Sequence, residues 1–210
     1  MIYLIRHGQT EWNRDRIFRG HKDLPLSKEG KIQAAKTARW LRERDISVVY
    51  SSPLVRAFET ASVIAAECRC PVVKEEGIID LDFGDWEGNT FDRVKKNDPE
   101  QYRLYRYEPE RCTIPGGESL KGCYERAFRC FLHIAAKHVE DGSQWAMVSH
   151  RVILKLLLIG ILGLSLSAFW KIALDTCSIC GVEPRGGGFI IRGINSRCHL
   201  TDSFEYGIDF

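Results

Sequence analysis

Arg6, His7 and Gly8 follow directly on a short apolar run, and the same arrangement recurs further along the chain: Ser51-Ser52-Pro53-Leu54 leads into Arg56, and Ser149-His150 closes residues 145–148. A neutral imidazole can accept a phosphoryl group, and a guanidinium stays charged and pairs two of its oxygens at once. Gly8, without a side chain, lets backbone approach a bound anion. Asp80, Asp82, Asp85 and Glu87, set among Gly84 and Gly88, add carboxylates able to donate and take back a proton. A lone R-H-G is a weak signal, but its recurrence supplies the nucleophile, cations and acid that phosphoryl transfer requires.

Such residues must be brought together by the elements that carry them. Short apolar runs at residues 2–5, 47–50, 72–74 and 145–148 read as strands, and residues 177–182 and 189–192 as a later hairpin. Residues 28–44 read as a helix capped by Ser27, with Ile32, Ala35, Ala38 and Leu41 as its packing face. Pro53 opens a second helix to about Glu67. Ser119 caps a third to about Val139, with Leu120, Cys123, Ala127, Ile134 and Ala135 inward and Lys121, Glu125 and Arg129 outward. Residues 156–170 are uncharged and read as a buried core helix, too short for a bilayer, which takes about 20 apolar residues. This alternation predicts a three-layer α/β/α fold, with a mainly parallel sheet and helices on both faces. Ligands then sit at the carboxyl ends of its strands. Residues 82–117, polar and broken by Pro99, Pro109 and Pro115, are expected to form a helical and loop insertion over the active site, a substrate lid rather than core. One domain over residues 1–210 is expected.

Composition narrows the partners. A net charge of +2 offers no broad attraction to nucleic acid or an acidic membrane, so any anion specificity is local. The eight cysteines lack the paired spacing of a zinc site and read as reduced thiols. The first apolar run is too short for a signal peptide, which points to the cytoplasm. A homodimer is compatible with the sequence. His133 and His138, five apart on one helix, do not form a metal pair, the Arg103, Arg106 and Arg111 series reads as a solvated basic face, and Trp86 as a packing anchor.

The motifs R-H-G-Q-T-E-W-N (residues 6–13), S-S-P-L-V-R-A-F-E-T (51–60), D-F-G-D-W-E-G (82–88), P-G-G-E-S-L (115–120) and V-S-H (148–150) together resemble the histidine phosphatase superfamily, in its phosphoglycerate-mutase-like branch. They stand in family order and span most of residues 1–150. The resemblance implies that His7 becomes phosphohistidine, that Arg6, Arg56 and His150 hold the phosphoryl oxygens, and that neither metal nor cofactor takes part. Asp80 occupies the place of the family's usual glutamate, four residues before Gly84, and is assigned as the acid, with Asp82 and Glu87 as alternatives. Thr10 and Asn13 match positions that line or brace the phosphate pocket. Arg19, next to Gly20, replaces a usual glutamine and either adds a cation or faces solvent. Glu118 matches a glutamate of the substrate rim, and His21 stands near that rim.

The short insertion lacks the arginine-rich extension of the mutases, which favours hydrolysis of a small phosphorylated metabolite. Resemblance extends to α-ribazole-5′-phosphate and broad-specificity phosphatases. Mutase-type transfer and an inactive phospho-ligand-binding member are the alternatives. Turnover of p-nitrophenyl phosphate is accordingly expected to persist in EDTA and, in a separate assay, to be inhibited competitively by vanadate and by phosphate. Activity lost to the chelator and restored by added metal would contradict this chemistry.

Overall fold

A computed structural model describes residues 1–13, 16–139 and 142–200; residues 14–15, 140–141 and 201–210 of the expected 1–210 unit lie outside the described residues. The strands β1 (Ile2–Arg6), β2 (Ile46–Ser51), β3 (Val72–Lys74), β4 (Gln144–Ser149), β5 (Ile179–Arg185) and β6 (Gly188–Ser196) form one six-stranded sheet in the order β3-β2-β4-β1-β5-β6. The first four run parallel, while β5 is antiparallel to β1 and β6 to β5. In β1 and β4 every second apolar side chain points to the opposite face, so both faces need cover. Leu4, Trp145 and Met147 pack on one side against α5 (Leu120–Lys137) and α6 (Arg151–Ile161). Ile5, Ala146 and Val148 pack on the other against α1 (Lys28–Leu41) and α2 (Val55–Cys68). The expected three-layer α/β/α arrangement with a mainly parallel sheet is what forms.

The expected caps are present, Ser27 Oγ accepting from the Gly30 amide at 3.1 Å and Ser119 Oγ from the Gly122 amide at 3.0 Å. The expected buried face of α5 is also found. That of α1 is found only in part: Ala38 and Leu41 are buried as expected, but Ile32 is 46% exposed, and the other buried positions are Gly30, Gln33, Ala34 and Thr37. A strict spacing of three residues lags the helical turn by about 60° per step and slides off one face; alternating threes and fours hold it. The helix also ends at Leu41, its last turn tightening to a 3-10 form over Arg42–Arg44.

Two further expectations are corrected. The run at 156–170 is not one helix. α6 starts at Arg151, stops at Ile161, and is followed by Gly163 in the left-handed region (φ 63°) and a 3-10 turn, Leu166–Lys171. Residues 152–159 are buried all round, as a helix with no polar stripe must be, and it has only 11 residues. No helix among the described residues is long and apolar enough to cross a membrane. Residues 82–117, in turn, contribute to the core: Phe83, Trp86, Val94, Leu104, Tyr105 and Ile114 are buried in the same cluster as α5 and α6. They come singly from short turns, α3 (Phe91–Asn97) and α4 (Pro99–Tyr107), so no long apolar period exists to be read. Trp86 anchors this segment as expected, its indole N–H reaching Asp98 at 3.0 Å. In the basic series Arg103 and Arg111 pair with Glu108 at 2.6 Å, and Arg106 lies over the Trp170 ring.

Two glycines bring the turn after β1 onto the start of α1. A β-carbon on Gly30 would stand 2.1 Å from the Gln9 carbonyl oxygen, and one on Gly8 would stand 2.6 Å from that of Gly30. Gly8 therefore serves packing against α1 directly. Alanine in a helix is ordinarily favoured over glycine by about 1 kcal/mol, yet Gly30→Ala is expected to destabilise by about 1–3 kcal/mol through overpacking. Urea denaturation checks it, and an unchanged or raised midpoint would show that this contact does not govern.

Candidate active site

The strand order β2-β4-β1 sets the carboxyl ends of these strands side by side. His7 donates its amide to the Ser149 carbonyl at 2.9 Å, and Ser52 donates to that of Val148 at 3.0 Å, so the residues just past the strands continue the ladder. Their side chains are then held by backbone geometry at one edge of the sheet. The antiparallel β5 begins at that same edge, and the loop before it braces Arg6: its guanidinium donates to the Leu174 carbonyl at 2.7 Å, and the Cys177 amide donates to the Arg6 carbonyl at 3.0 Å.

His7 is buried, with its Nδ1 2.7 Å from the carbonyl oxygen of Gly8. A carbonyl only accepts, so Nδ1 carries the proton and Nε2 keeps a free lone pair. Burial, and then Arg56, Arg6 and Arg19, hold its pKa well below the ordinary histidine value, leaving the ring neutral. His150, fully buried, has its ring centroid 5.3 Å from that of His7 and its Nε2 2.7 Å from Ser52 Oγ. Burial, followed by Arg56 and His7, keeps it neutral too. Arg56 donates to the carbonyls of Gly20 (2.8 Å) and Lys22 (3.1 Å) and to Asp80 Oδ2 (3.1 Å). Asp80 Oδ2 also lies 3.6 Å from His150 Nδ1.

The pocket above these groups is lined by His7, Asn13, Arg19, Gly20 and Asp80, with Trp12, Arg16, Ile17, Phe18, Phe83, Phe91, Arg151 and Val152 completing its wall. Thr10 sits behind it, its amide and hydroxyl both donating to Asn13 Oδ1 at 2.8 and 3.0 Å. Arg19 turns inward rather than to solvent, 3.4 Å from Thr10 Oγ1, and burial and then Arg6 and Arg56 pull its pKa down to about 9. Gly20 takes a left-handed conformation (φ 53°), and a β-carbon there would meet the Glu87 carboxylate, so its carbonyl can face Arg56 only as glycine.

Other carboxylates are engaged elsewhere. Asp82 accepts from the Gly84 amide at 2.8 Å, and Glu87 accepts from that of His21 at 2.7 Å. Glu118 clasps Arg126 at 2.8 Å and the Asp82 amide at 3.1 Å; it braces the segment and does not line the pocket. His21 also stands outside the lining, with Nε2 2.9 Å from the Asp80 carbonyl. Of the candidate acids, Asp80 alone reaches Arg56, His150 and the pocket.

Sequence reasoning passed over Ser52, which orients His150; Thr60, which accepts from the Gly8 amide at 3.1 Å and donates to the Arg56 carbonyl at 2.8 Å; Arg151; and the Leu174 carbonyl. Ser52 and Thr60 lie inside the motif at 51–60 and Arg151 adjoins the one at 148–150, whereas a backbone carbonyl leaves no trace in residue type. Among the described residues all eight cysteines are free thiols, and no group of three or more histidines, cysteines and acids is placed to hold a metal ion. Cations around a single carboxylate suit an anion.

Comparison with known proteins bears on this arrangement. Phosphoserine phosphatase 1 of Hydrogenobacter thermophilus is 33% identical over 203 residues, 97% of this chain and 95% of that protein. Phosphoglycerate mutase-like protein 4 of Arabidopsis thaliana is 37% identical over 157 residues, covering 73% and 67%. The structure of phosphoserine phosphatase from Entamoeba histolytica, in complex with 3-phosphoglyceric acid, superposes with a TM-score of 0.86 at 29% identity, over 95% of this chain and 98% of that one. Residues 2–197 match the family description as a whole, and the chain belongs to the histidine phosphatase superfamily, branch 1.

Proposed function

We propose that this protein hydrolyses small phosphorylated metabolites through a phosphohistidine on His7. The observation that carries the reading is the Nδ1–H hydrogen bond from His7 to Gly8, which aims a neutral, lone-pair-bearing Nε2 at the pocket. In the first step Nε2 attacks phosphorus, the bond to the leaving oxygen breaks, and protonated Asp80 gives its proton to the departing alkoxide. Arg6, Arg56 and His150 hold the equatorial oxygens, with Arg19 and Asn13 in the pocket lining and Thr10 bracing Asn13 from behind. In the second, Asp80 takes a proton from water, the hydroxide attacks phosphorus, and the bond to His7 breaks, releasing phosphate. The Arg56–Asp80 pair supports this exchange: phosphate drawing on Arg56 loosens its hold on the carboxylate that must move a proton. Residues 82–117 cover the substrate in this reading, joined to the loop after β1 by the bridge between Ile17 and Thr90.

Phosphoserine is the first substrate to assay, because the relative named for it matches along nearly the whole length of both chains. α-Ribazole-5′-phosphate follows from the motif resemblance. The reading is of a cytoplasmic enzyme. The mutase-like relative favours one second reading, transfer of the phosphoryl group to another hydroxyl of the substrate. Phosphorus NMR of 3-phosphoglycerate turnover separates the two, since hydrolysis yields inorganic phosphate and transfer an isomeric ester.

His7→Ala is expected to abolish turnover with the fold intact. Asp80→Asn is expected to slow the phosphorylation step for alkyl phosphates by about 10²-fold or more, and for p-nitrophenyl phosphate, whose leaving group needs no proton, by less than about tenfold. Burst kinetics keep this step apart from the later hydrolysis of phospho-His7. Equal losses on both substrates would remove Asp80 as the acid.

A further inference from the structure

Arg151 opens α6 directly after His150 and lines the same pocket as His7 and Asp80, yet its side chain makes no hydrogen bond or ion pair among the described residues. One turn along the helix lies Lys155, buried, its ammonium 4.8 Å from the ring centroids of both Phe169 and Trp170 and likewise without a carboxylate partner among the described residues. The crowded positive charge bears on the neighbouring groups. Burial first, and then Arg151, Arg6 and Arg106, bring the Lys155 pKa down to about 7. Arg19, already lowered by burial, Arg6, Arg56 and Arg151, is helped upward by Asp80.

A phosphoryl dianion is matched in charge by Arg6 and Arg56, and Asp80 in its proton-donating form contributes none. Among the described residues Arg19 and Arg151 then have no ionised carboxylate to answer them, and Arg16, also in the lining, is exposed to solvent; charges in a partly dehydrated pocket are costly until an anion meets them. Apolar Val152 and Phe91 line the same pocket as Arg151. We propose that Arg151 determines specificity, pairing through its planar fork with a second anionic group, carboxylate or phosphate, on the alcohol portion of the substrate. The assignment rests on the phosphomonoester reading above and adds to it the class of alcohol that leaves.

The test uses matched pairs: 3-phosphoglycerate against glycerol 3-phosphate for a carboxylate, and propane-1,3-diol bisphosphate against its monophosphate for a second phosphate. Wild type should prefer the doubly charged member of at least one pair by tenfold or more in kcat/KM, and the pair that shows it tells which anion is read. Arg151→Met should cut that ratio by at least tenfold, mainly through KM, and Arg151→Lys should restore part of it. No preference in wild type, or a ratio unmoved in Arg151→Met, overturns the proposal. Calorimetric binding of the same pairs to His7→Ala, with and without Arg151→Met, reads the contact without turnover. Arg151-dependent binding with no hydrolysis of any ester by wild type would sink the hydrolase reading alone.

Discussion

Arginine does not give up its proton in a protein, so a site that buries Arg6 and Arg56 completely must answer their charge with something other than titration. Much of the surrounding structure follows from that constraint. Among the described residues the answer includes backbone carbonyl dipoles, Leu174 for Arg6 and Gly20 and Lys22 for Arg56, and the Asp80 carboxylate, shared between Arg56 and the neighbourhood of His150. Carbonyls answer without neutralising. The pocket therefore keeps a positive field that a phosphate can use, and that field adds to burial, the larger cause, in holding His7 and His150 neutral. A nucleophilic imidazole and a cationic pocket are thus two consequences of one arrangement.

Fixing those carbonyls takes elements far apart in the chain. The Gly20 carbonyl faces Arg56 because that glycine tolerates a left-handed backbone, and the loop holding it is zipped to residues 82–117 through the Phe18 carbonyl and the Gly88 amide at 2.9 Å. Phe18 stacks among Phe83, Trp86, Phe91 and Tyr105, with ring centroids 4.4 to 5.9 Å apart. Aromatic packing at such distances is favourable beyond area burial alone. Residues 82–117, which give Phe83 and Phe91 to the pocket lining, are consequently tied into the main core, and the shape of the pocket is coupled to that packing.

Division of labour among the acids has the same origin. Asp82, Glu87 and Glu118 each satisfy backbone amides or Arg126, which shapes the turn that carries them. Buried amides must be paired, and a carboxylate spent on them is poorly placed to move protons. Asp80 differs because its side-chain partners are Arg56 and, at 3.6 Å, His150, although one of its oxygens also accepts from the Leu81 amide at 3.0 Å.

From the sequence by itself came the α/β/α class, the strand-end positions of Arg6, His7 and His150, and the caps at Ser27 and Ser119. These depend on local periods, turn chemistry and motif spacing, which are written in neighbouring residues. The α1 face was misread through Ile32, because a spacing of three resembles the helical repeat without equalling it. The core role of residues 82–117 was hidden because its aromatic residues arrive singly from short turns. Only the tertiary structure set Asp80, rather than Asp82 or Glu87, beside Arg56 and in the pocket lining, turned Arg19 inward, left Glu118 and His21 out of that lining, and set Arg151 within it. Each of those outcomes depends on which carbonyls, amides and charges from distant segments surround a side chain, and the balance between burial and pairing exists only once those segments have met.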